Sequence, residues 1–200
     1  MNDPEQATPD PQSQAGRQAP RRSDWRFMVA DPARLIALGF GSGLSPKAPG
    51  TVGTLWAWLT FAVLDGVLPA MAWPPLLLAG AVVGGWACTR CAVDLGIADP
   101  GAIVWDEVLA FWALLWAIAP AGWTLQLLAF ALFRLFDIAK PGPIGWTDRR
   151  FKLRPGEAIG ARQGLGILLD DLVAAVISLG VLGVICGSAL VAGHDPARWP

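Results

Sequence analysis

Apolar residues in this chain come in long, nearly unbroken runs. They cover Val52 to Pro69, Pro75 to Val93, Ala102 to Ala119, Trp123 to Ile138 and Ile167 to Ala192. Alternation with period two is scarce, so the runs predict helices, not strands. A bilayer's hydrocarbon core takes about 20 helical residues, and each run has that length or approaches it. The expected fold is all-α, a multi-helical integral membrane bundle with about five membrane helices. No internal repeat is evident. Residues 1–22 are rich in Pro, Gln, Ala, Ser and Asp and cannot bury a core, so they read as a disordered N-terminal tail. Ser23 to Leu38 interleaves Trp25, Phe27 and Met28 with Arg26, Asp31 and Arg34, which predicts one short amphipathic helix on the membrane surface. The membrane domain is expected over 23–193, with a C-terminal tail over 194–200.

Composition supports a membrane setting. Hydrophobic residues make up 54% of the chain and charged ones 16%, and the mean hydropathy is +0.47. A very apolar soluble bundle is the alternative, because the third and fourth runs are short and carry acids. Eleven Trp against no Tyr points to side chains at the membrane interface. The net charge of −1 gives no reason to expect a nucleic acid partner. Cys88 and Cys91 form a C-x-x-C, but no second ligand pair and no nearby His accompany them. They read, like Cys186, as small buried apolar residues. The first thirty residues contain no apolar segment of the kind found in a cleaved signal peptide.

The ionisable residues are unevenly placed. The connectors Pro69 to Pro75 and Pro120 to Gly122 carry no charge. Lys and Arg collect before Val52 and again between Lys140 and Arg162. Five alternating spans put both basic groups on one side, and the positive-inside rule makes that side cytoplasmic. The loops Gly39–Thr51, Asp94–Glu107 and Asp137–Asp171 then converge on one membrane face. Acids crowded against membrane-grade segments are costly and usually functional.

The available chemistry is that of carboxylates. The lone His194 sits at the opposite end, which removes reactions that need a His nucleophile or base. There is no Cys-x5-Arg and no D-x-D-x-T, and the Gly-rich loop is not a P-loop. Asp106, Glu107, Asp137, Asp170 and Asp171 remain, and they would repel one another unless a cation joined them. Hard oxygen ligands at a membrane boundary suit Mg²⁺, which often bridges a phosphate. Lys140, just before Pro141, is expected to be free to meet that phosphate. Thr51 is a plausible N-cap of the first membrane helix, and free N–H groups at a helix start bind anions, with Lys47 adding charge. Asp99, before Pro100-Gly101, reads as a helix cap. Asp170, Ala174 and Ser178, spaced by four, form a small-residue face for close helix packing.

Taken in order, five pieces resemble the phosphatidylglycerophosphatase A family. They are Gly41-Ser-Gly43-Leu-Ser45-Pro-Lys47-Ala-Pro49-Gly50-Thr51-Val-Gly53-Thr54, then Ile103-Val-Trp105-Asp106-Glu107, then Phe133-Arg134-Leu-Phe136-Asp137-Ile-Ala-Lys140-Pro141, then Trp146-Thr-Asp148-Arg149-Arg150, and Gly164-Leu-Gly166-Ile-Leu-Leu-Asp170-Asp171. The stretch Phe151 to Gly160 is a longer spacer than the family pattern leads one to expect. The resemblance implies a Mg²⁺-dependent lipid phosphatase at the bacterial inner membrane that converts phosphatidylglycerophosphate to phosphatidylglycerol. It implies a metal held by Glu107, Asp137, Asp170 and Asp171, with Asp106 a ligand or a neighbour of one. One of these carboxylates would orient water. Lys47, Gly50, Thr51, Lys140, Asp148 and Arg149 would bind substrate, and Lys152 and Arg154 would touch anionic lipid. A transporter would place its acids near mid-span, and a CDP-alcohol transferase needs an Asp-x-x-Asp-Gly-x-x-Ala-Arg run that is missing here. A scaffold would not need the phosphate-type loop.

Overall fold

The computed structural model describes residues 23–151, 153, 157–196 and 199, without the side chains at 143 and 147–149. The expected N-terminal tail, Lys152 and Arg154 lie outside the described residues, as do the side chains of Asp148 and Arg149. The described chain is all-helical: α1 (Trp25–Val29), α2 (Pro32–Ala37), a 3₁₀ turn (Gly39–Leu44), α3 (Pro49–Asp65), α4 (Trp73–Leu95), α5 (Trp105–Ile118), α6 (Trp123–Ala139), α7 (Pro143–Phe151) and α8 (Ala161–Val191).

Several boundaries differ from the sequence reading. The single amphipathic helix expected before Leu38 is two short ones. Asp31 ends the first stretch and caps the second, its Oδ1 accepting from the Ala33 N–H at 2.8 Å, and Pro32 starts the new helix. Helix α3 begins at Pro49 behind a left-handed Ala48 (φ 46°), so Thr51 lies in its first turn and is not its cap. Asp99 caps nothing, because α5 starts only at Trp105 with Val104 as its N-cap. The amphipathic α7 was missed within the basic loop, since nine residues around Gly145 make too short a pattern to read.

Helix α5 is the axis of the bundle. Nine of its 14 residues are buried, and its most extensive contacts are with α8 and α3. At a rise of 1.5 Å per residue it is about 21 Å long, short of a bilayer's hydrocarbon core, and it survives because other helices surround it. Two helical segments are long and apolar enough to cross a membrane: Ala70–Leu95, with mean hydropathy 1.6, and Ala161–Val191, with 2.3. Only 33% and 22% of their most apolar windows are buried inside the protein, so they are not core helices of a soluble fold. Leu78, Val82, Val176, Val184 and Val191 point outward, a contiguous apolar surface that water does not tolerate. The protein is membrane-associated.

The tryptophans divide between two roles. Trp25, Trp86, Trp123 and Trp146 are exposed, as interface residues should be, whereas Trp73, Trp105 and Trp112 are buried. Each buried indole N–H finds an acceptor: Asp65 Oδ1 for Trp73 (3.0 Å), the Gly80 carbonyl for Trp105 (3.0 Å) and the Ala57 carbonyl for Trp112 (2.9 Å). Trp73 stacks on Phe61 at 4.5 Å and meets Trp112 edge-on at 6.0 Å, which ties α3, α4 and α5 together. Cys88 and Cys91 are buried and reduced within α4.

Candidate active site

The starts of α5 and α8, the end of α6, the tail of α7 and the loop Ala98–Ile103 enclose a cavity of about 220 Å³. Its lining includes Asp99, Asp106, Glu107, Asp137, Lys140, Gln163, Asp170 and Asp171. Asp106 and Glu107 occupy the first turn of α5, where carboxylates are favoured by the helix dipole. Their backbone is fixed from behind: the Val104 N–H donates to the Ala37 carbonyl at 3.0 Å. Val104 also packs where a Cβ on Gly53 would lie 2.7 Å from its own Cβ. A side chain at Gly53 would therefore push α5 and its acids out of place.

Three acids converge. One carboxylate oxygen each from Asp106, Glu107 and Asp171 can be chosen so that all lie within 4.8 Å of one another. Glu107 and Asp171 are buried. Asp106 Oδ1, Glu107 Oε2 and Asp171 Oδ2 are all shielded from solvent with no hydrogen-bond partner in the protein. Carboxylates gathered this closely away from solvent repel one another unless a cation joins them. An all-oxygen donor set of this kind fits a hard divalent ion. These residues can coordinate one.

Asp137 and Asp170 have cations of their own. Arg134 Nη1 lies 2.7 Å from Asp137 Oδ2 and 3.7 Å from Glu107 Oε1. Lys140 Nζ donates to Asp170 Oδ2 at 3.2 Å. Lys140, expected to be free for phosphate, is thus engaged; as the left-handed C-cap of α6 (φ 42°) it is turned back toward α8. Gly50 is buried against Glu107, whose Oε1 occupies the place of a Cβ, with Arg134 Nη2 at 3.1 Å. Thr51 follows it in α3. Lys47 is exposed and does not reach the cavity. Arg134 and Gln163 were not singled out in the sequence. The signal for Arg134 was present, a lone cation three residues before Asp137 inside an apolar run. For Gln163 there was none.

A carboxylate cluster at one end of a membrane-associated helical bundle is a site of the class that can hold a divalent ion. Comparison with known proteins narrows the class. The family model described as "PgpA: Phosphatidylglycerophosphatase A" matches residues 35–186. Phosphatidylglycerophosphatase A of Escherichia coli is 39% identical over 88% of this chain and 90% of its own length. The Haemophilus influenzae protein of the same name is 35% identical over 77% and 88%. A Bacteroides thetaiotaomicron protein named provisionally as a phosphatidylinositol-3-phosphatase is 36% identical over 75% and 91%. No solved structure matches significantly. The chain belongs to the phosphatidylglycerophosphatase A family and is a lipid phosphatase of glycerophospholipid metabolism.

Proposed function

We propose that the protein is a Mg²⁺-dependent phosphatase that hydrolyses phosphatidylglycerophosphate to phosphatidylglycerol and phosphate at the cytoplasmic face of the bacterial inner membrane. The observation that carries this reading is the convergence of one carboxylate oxygen each from Asp106, Glu107 and Asp171 within 4.8 Å. Those three would hold the ion. When bound, Mg²⁺ polarises a phosphoryl oxygen and makes water a better nucleophile. Asp137 and Asp170, proposed as ligands from the sequence, face the same cavity and are each neutralised by a cation. They suit a role in orienting water and taking its proton. Hydrolysis joins the water oxygen to phosphorus, breaks the bond from phosphorus to the glycerol oxygen and delivers a proton to that oxygen. Lys140 at the cavity wall would steady phosphate, helped by the Gly50–Thr51 helix start. Lys47 would act outside the cavity, on the approaching headgroup, and Asp148 and Arg149 would contribute to substrate binding.

Five crossings remain our reading of the topology. Its support is geometric. Gly50 at the start of α3 packs on Glu107 at the start of α5, and Arg134 at the end of α6 pairs with both Glu107 and Asp137. Helices α3 to α6 therefore alternate in direction, and α8 follows from the same end. The stretch of α8 after Asp171 is about 20 residues, one bilayer core in length, which supports a reading with the paired acids at the membrane boundary.

The test is phosphate release by purified protein in mixed micelles, with and without Mg²⁺. Phosphatidylglycerophosphate should be cleaved at least ~100-fold faster than glycerol 3-phosphate at equal concentration, since acyl chains hold the headgroup at the site and confinement lowers the barrier. Chelation should abolish release and Mg²⁺ restore it. Faster cleavage of phosphatidylinositol 3-phosphate would reassign the headgroup, following the Bacteroides relative. Equal rates on the lipid and glycerol 3-phosphate would refute the lipid assignment.

A further inference from the structure

Gln163 lies three residues into α8 from its N-cap, only 3% exposed, on the wall of the acidic cavity. Its Oε1 accepts from the backbone N–H of Gly160 at 2.9 Å. That contact settles which way the amide points, because a backbone N–H only donates. The Nε2 group must face the other way, and it is shielded from solvent without a hydrogen-bond partner. A buried amide N–H₂ left unsatisfied costs about 1–3 kcal/mol. It stands beside the N-terminus of a 31-residue helix, where the dipole and free N–H groups favour an anion.

We propose that Gln163 is a substrate-binding residue whose Nε2 donates to an oxygen of the phosphomonoester in the cavity. The proposal rests on the phosphatase reading and adds to it a neutral side-chain donor on the cavity wall. Both cations near the acids are drawn into ion pairs, Arg134 with Asp137 and Lys140 with Asp170. A further Lys or Arg on this wall would meet the same fate. An amide carries no net charge, makes no ion pair with the carboxylates, and so stays available for a phosphate oxygen. Its own carbonyl, clamped by Gly160, pre-sets the direction of the donor.

The experiment compares the wild type with Gln163→Glu and Gln163→Met, measuring kcat and KM on phosphatidylglycerophosphate and the inhibition constant of inorganic phosphate. Gln163→Glu keeps an acceptor for the Gly160 N–H, as Glu does at this helix position, so the helix start is retained while the added buried charge lowers the melting temperature. Both variants should raise KM and weaken phosphate inhibition by about ten-fold or more, the usual worth of a hydrogen bond to a charged group. Unchanged KM and phosphate inhibition in Gln163→Glu would overturn the proposal. A rise in KM with unchanged phosphate inhibition would also overturn it, moving the amide to another headgroup oxygen. If Gln163→Met folds and binds phosphate like wild type, the Glu effect is charge repulsion and the proposal fails. If Gln163→Met does not fold, Gln163→Ala is measured in its place: a loss of phosphate inhibition supports the contact, and wild-type inhibition refutes it. A wild type that releases no phosphate from any lipid would instead sink the phosphatase reading.

Discussion

Asp171 shows how much of this site turns on single atoms. It neighbours Asp170 in sequence, yet the two carboxylates have different fates. Asp170 meets Lys140, while Asp171 joins Asp106 and Glu107. Replacing Asp171 by Asn keeps its size and removes one of three mutually repelling charges. Turnover at limiting Mg²⁺ should fall by roughly 100-fold or more, beyond what loss of an outer-shell partner costs. In chelator, the melting temperature of Asp171→Asn should equal or exceed that of the wild type, since a buried charge without a counter-ion destabilises. Phosphate release and a melting curve in detergent measure both. Near-normal turnover at limiting Mg²⁺ would remove Asp171 from the ligand set.

At the scale of the element, glycine decides how closely helices approach. A Cβ on Gly164 of α8 would run into Thr89 Oγ1 and lie 3.0 Å from the Gly85 carbonyl of α4. Gly84 is filled by the Trp105 indole in the same way, so α4 offers a smooth groove to both α5 and α8. Further along α8, Asp170, Ala174 and Ser178 are all buried, the face expected from their spacing. Gly164→Val should therefore force α4 and α8 apart and destabilise the bundle by about 1–3 kcal/mol. A lowered melting temperature together with reduced phosphate release is the expected result, since Gln163 and Asp171 ride on the same helix. An unchanged melting temperature would show that the groove relaxes freely.

For the whole molecule, the decisive question is which end faces the cytoplasm. Arg150 is exposed at the end that holds the acids, and Met71 is 84% exposed at the opposite end. In a background with Cys186 replaced by Ser, Met71→Cys and Arg150→Cys should react with a membrane-impermeant thiol reagent from opposite sides. Cys88 and Cys91 are buried and should stay silent. Labelling of Arg150→Cys in intact cells, or of both positions from one side, would overturn the five-crossing arrangement. The charge asymmetry behind this orientation lies in Lys and Arg, and Arg162 shows why counting is not enough: it is paired with Glu157 at 2.9 Å.

Helix content, the apolar runs and the acids that matter were legible in the residues because each is a local property. Run length and the absence of alternation call for helices. The confinement of acids to one set of loops marks a site, and the motif order points to the family. What lay beyond the sequence was everything that depends on which side chain reaches which. Asp106, Glu107, Asp137, Asp170 and Asp171 are all simply carboxylates along the chain, and only packing brings Asp106, Glu107 and Asp171 together, pairs Asp170 with Lys140 and sets Arg134 between Asp137 and Glu107. The donor on Gln163 is equally invisible along the chain, because its direction is set by a single backbone N–H at Gly160. Helix α5, shorter than a bilayer core, is buried by its neighbours, and burial is a property of the assembled bundle.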